Sequence, residues 1–100
     1  MNTEMTETVM IEKKQCELIK GDFSPDDALE IINHLITKKI TFHELRSFSS
    51  EIRFGEVDQK SIDRSKELKQ SKASVEKFIQ QAKEQNKTLR IKSNISIELI

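Results

Sequence analysis

The 100-residue chain predicts an α+β fold in the order strand, helix, helix, helix, strand. Three observations carry that prediction. The closing stretch LRIKSNISIELI alternates apolar and polar side chains with Ser93 as its one lapse, the period of a strand with one buried and one wet face. The segment FSPDD gathers several helix-start signals within five residues. From Asp58 to Lys87 there is neither Gly nor Pro, so nothing interrupts a long helix there.

Residues 1–8 are polar, acidic and without pattern; a flexible tail is expected, with residues 9–100 forming a single domain. VMIEKKQCELIK, residues 9–20, reads as a strand. Cys16 and Leu18 share a face with Met10, Ile11 and Ile19 take the other, and Lys13, Lys14 and Gln15 interrupt the alternation.

Gly21-Asp22 is expected to break the strand. Ser24 suits an N-cap, and Pro25 loses nothing at the first helical position, where the backbone N–H has no intrahelical partner. Asp26 and Asp27 lie toward the positive end of the helix dipole, and Phe23 and Ala28 are spaced as a hydrophobic staple. Ala28, Ile31, Ile32, Leu35 and Ile36 then recur on one helical face, predicting a helix over 25–38. The Thr-x-x-Glu pattern at Thr41–Glu44 predicts a second helical segment over 42–49, separate from the first or joined to it across a bend. Phe48 to Gly55 has no clean period and reads as a loop that tucks its apolar side chains inward. In the long helix the apolar stripe is Ile62, Leu68, Val75, Phe78, Ile79 and Ala82, diluted by Ser61, Ser65, Ser71 and Lys72. That falls short of a sustained heptad seam. The expected architecture is an antiparallel helix hairpin packed on a ribbon of the two terminal strands. The C-terminal strand carries no Pro to blunt its edge, so a second copy could complete a four-stranded sheet.

Composition narrows function. Apolar residues are 35% of the chain and charged ones 34%, against about 45–50% and about 25% in average domains. The core must be thin, which favours self-association. Net charge is zero but uneven: residues 58–92 hold ten Lys or Arg against five Asp or Glu, and residues 1–57 hold seven against eleven. A lone cysteine gives no internal disulfide. The N-terminus shows no secretory pattern, so a cytoplasmic location is expected, and no apolar run is long enough for a bilayer span.

Chemistry-bearing patterns are sparse. His34 and His43 are nine apart, not at the spacing of a helical two-His metal site. Asp27, Glu30 and His34 share a helix face but have no second His or Cys at a matching spacing. Cys16 reads as a small core residue and His43 as a surface or turn residue. Two glycines make no phosphate loop. No catalysis, cofactor or metal is therefore expected. The favoured reading is a non-catalytic interaction or assembly module, homodimeric, with Phe42, Phe48, Ile52, Arg53, Phe54, Ile95, Ile97 and Leu99 as its contact residues. The alternative is a nucleic-acid-associated protein using Lys60, Arg64, Lys69 and Lys72 on the long helix.

Overall fold

The computed structural model describes residues 11–100. The proposed tail, 1–8, and the start of the first strand at residues 9 and 10 lie outside the described residues. The elements are β1 (Lys13–Phe23), α1 (Pro25–Phe54), α2 (Gln59–Glu84) and β2 (Leu89–Glu98). They fall into two compact units, a strand ribbon, described over 11–21 and 90–100, and a helix hairpin, Asp22–Leu89.

The ribbon is a two-stranded sheet of β1 beside β2. Leu99 N–H donates to the Glu12 carbonyl at 2.8 Å, and Lys13 pairs with Glu98 at 3.8 Å, which sets an antiparallel register at its outer end. No strand residue is fully buried. Cys16, expected in a core, is exposed. On the face predicted to be buried, Leu89, Ile91 and Ser93 are half-buried, but Ile95, Ile97 and Leu99 are exposed.

The hairpin begins as its sequence dictates. The Ser24 hydroxyl accepts from Asp27 N–H at 3.2 Å, Pro25 follows, and Ala28 is fully buried. The two helical segments expected over 25–38 and 42–49 are one 30-residue helix that absorbs the supposed loop as well. No Gly or Pro lies between Pro25 and Gly55 to stop it. Thr41-x-x-Glu44 has the spacing of a cap but sits in mid-helix, where the preceding turn already satisfies the N–H groups. Gly55 ends the helix in the left-handed region, φ 74°, and donates to the Glu51 carbonyl at 2.9 Å. Nothing lies within 4 Å of where a Cβ would stand, so the need for glycine there comes from the backbone alone.

Asp58 caps α2 through Ser61 N–H at 3.2 Å. At its far end Asn86, φ 55°, closes a Schellman motif: Lys87 N–H donates to the Ala82 carbonyl and Asn86 N–H to that of Lys83. Three ion pairs tie the helices together in antiparallel register: Asp26–Lys83, Glu44–Lys69 and Arg46–Asp58, at 3.0, 3.1 and 3.3 Å.

The seam between them is a heptad after all. On α2 the residues removed from solvent are Ser61, Ile62, Ser65, Leu68, Lys72, Val75, Glu76, Ile79 and Ala82, which contain an unbroken alternation of four- and three-residue steps from Ser61 to Ala82. Ser65 and Lys72 do not dilute this seam; they belong to it, because helices that approach closely accept small side chains and the stem of a long one. Phe78, placed in the stripe by its sequence spacing, is 61% exposed. On α1 the matching row is Leu29, Asn33, Ile36, Ile40, His43, Ser47 and Ser50. The register brings Ile40 to the level of Leu68, His43 to that of Ser65, and Ser47 to that of Ser61. Toward the hairpin loop the seam is therefore small and polar.

Candidate interaction surface

Leu45 lies between Glu44 and Arg46, whose side chains leave the helix about 100° to either side of it. Both flanking residues reach back to α2, Glu44 to Lys69 and Arg46 to Asp58. Leu45 must therefore point away from the seam. Phe42, Phe48 and Ile52 lie within about 60° of it, and with Leu45 they form an apolar stripe on the outer side of α1, each 51% to 67% exposed. Phe54, at the end of the helix, is 75% exposed, and Arg53 beside it is exposed as well. Lys39 lies 5.3 Å above the Phe42 ring, and His43 meets that ring edge-on at 5.2 Å.

The margins of the stripe differ in charge. Lys39, Arg46 and Arg53 recur every seventh residue along one side. Glu30, Glu44 and Glu51 occupy the opposite row, with Thr37 completing its seven-residue spacing. Periodicity alone did not separate this stripe from the seam, because α1 carries apolar residues on two opposite sides. The helix-to-helix ion pairs make the distinction, and the signal that could have found it is the charge row on each margin.

The other expected contact residues sit on the ribbon: Ile95, Ile97 and Leu99 are exposed at 40%, 63% and 63%. Of the basic quartet on α2, Arg64 pairs with Glu67 at 2.9 Å, Lys69 with Glu44, and Lys72 is half-buried on the seam; Lys60 is exposed. Among the described residues no three His, Cys, Asp or Glu gather as a metal site, and no helix is long and apolar enough to cross a membrane. His43, expected at the surface, is half-buried on the seam; both ring nitrogens are removed from solvent and have no hydrogen-bond partner among the described residues. Fold and surface together define an α+β chain whose helix hairpin bears an uncovered apolar stripe. No protein-family model, curated protein or solved structure matches this chain.

Proposed function

We propose that the protein is a small non-catalytic interaction or assembly module that works as a homodimer. One observation carries this reading: the residues buried inside the hairpin are Ala28, Ile40, Ser47, Ser61, Ser65, Ile79 and Ala82, with no aromatic side chain among them, while Phe42, Leu45, Phe48 and Ile52 stand outside. A chain with few apolar residues that spends its largest ones on the surface leaves out of its fold the material that interfaces use. The ribbon supports the same reading, with exposed apolar side chains and a two-stranded sheet that is marginal alone. Sedimentation velocity of the full chain at micromolar concentration should show a dimer whose affinity changes little with added salt. A monomer throughout that range sinks the proposal. The nucleic-acid reading predicts instead a complex that weakens steeply with salt, and the pairing of Arg64 and Lys69 with carboxylates lends it less support.

A further inference from the structure

Resting on that reading, we infer that the occupant of the α1 stripe is the same stripe of a second copy, with the two α1 helices running parallel. The charged margins argue for both the partner and its direction. When two identical helices meet face to face about an axis parallel to their length, the left margin of one meets the right margin of the other. Lys39, Arg46 and Arg53 then lie along Glu30, Glu44 and Glu51 of the second copy, and the reciprocal row does the same. An antiparallel meeting sets each margin against its own kind, basic on basic and acidic on acidic. Flanking charges of this type set partner and orientation in helix pairs, and like-charge juxtaposition is costly. The helix face that carries the stripe runs about 32 Å from the half-buried Ile31 to Ile52. Its apolar part is the half nearest the hairpin loop, because His34 and Lys38 occupy the other half. The product is a four-helix bundle with the two α1 helices inside and α2 of each copy outside.

Two measurements on the full-length chain test this. Phe48→Glu places a charge in the stripe, and the dimer dissociation constant should rise about thirtyfold or more, the scale of an interface hot spot, with helical circular dichroism unchanged. Orientation is read by disulfide trapping after Cys16→Ser, with Lys38→Cys and Ser49→Cys made singly. Both positions lie in the stripe, about 16 Å apart along the helix. In a parallel pair each meets its own counterpart, so both variants should link to dimers; in an antiparallel pair only a residue at the axis can. Cross-linking at one position or neither overturns the parallel arrangement, and does so even if Phe48→Glu folds poorly. A wild-type dimer that Phe48→Glu leaves intact overturns this inference while the assembly reading stands. A monomeric wild type overturns both.

Discussion

His43 is the residue whose placement conflicts most with its chemistry. Its imidazole sits on the seam at the level of Ser65, yet neither nitrogen has a hydrogen-bond partner among the described residues. A buried polar atom left unpaired costs about 1–3 kcal/mol. Leu is close in volume and brings no polar atom. His43→Leu should therefore raise the urea midpoint, by a stability gain of about 1 kcal/mol. A lower midpoint would show that the imidazole makes a favourable interaction at the seam. The sequence placed His43 beside Glu44 in an apparent cap, and nothing local told that position from a turn. What buries it is a row of small side chains on α2, twenty or so residues away along the chain.

At the scale of elements, local chemistry was read well where it acts through neighbours. Ser24, Pro25 and Asp27 start α1 as their side chains dictate, and the alternating end of the chain is a strand. Asp58 shows the same locality at the start of α2. It accepts from Ser61 N–H and the Ser61 hydroxyl and pairs with Arg46. These contacts, the Ser61 N–H foremost, hold its carboxyl below the ordinary carboxylate value. A carboxylate with a depressed folded-state value stabilises the fold above its unfolded value, about pH 4. That stabilisation is lost as pH falls through the folded-state value. Wild type should be more stable than Asp58→Asn at neutral pH, and the gap should narrow on acidification below about pH 4. Paired urea titrations across that range check it, and a gap independent of pH would remove the charge from the explanation. The extent of α1 was harder to read, since a Thr-x-x-Glu spacing occurs inside helices as readily as at their starts. The absence of Gly and Pro from Asp26 to Phe54 was the better guide.

For the whole molecule, the open question in the sequence was which of its apolar groups meet each other and which meet a partner. α1 begins and α2 ends at the end of the hairpin where the strands join the chain. In the proposed dimer, a parallel pairing of the α1 helices would bring the two points where the strands join the hairpins to the same end. Backbone donors in a strand alternate sides, so with Leu99 N–H facing β1, that of Ile97 faces β1 and that of Ser96 faces the open edge. Ile97→Pro should cost the ribbon its strand signal in circular dichroism. Ser96→Pro should keep that signal and loosen self-association. Unchanged association in Ser96→Pro would take the edge out of the contact.

Order and kind of element, the helix caps and the alternating strands were present in the linear chain, because each depends on residues a few positions apart. The choice of which α1 face lies against α2 was not. Apolar side chains on opposite sides of one helix compete equally for burial, and the outcome depends on groups far apart in sequence: Lys69 with Glu44, Asp58 with Arg46, and serines small enough to let two backbones close together. Those pairings exist only once the hairpin has formed, and they turn the phenylalanines outward.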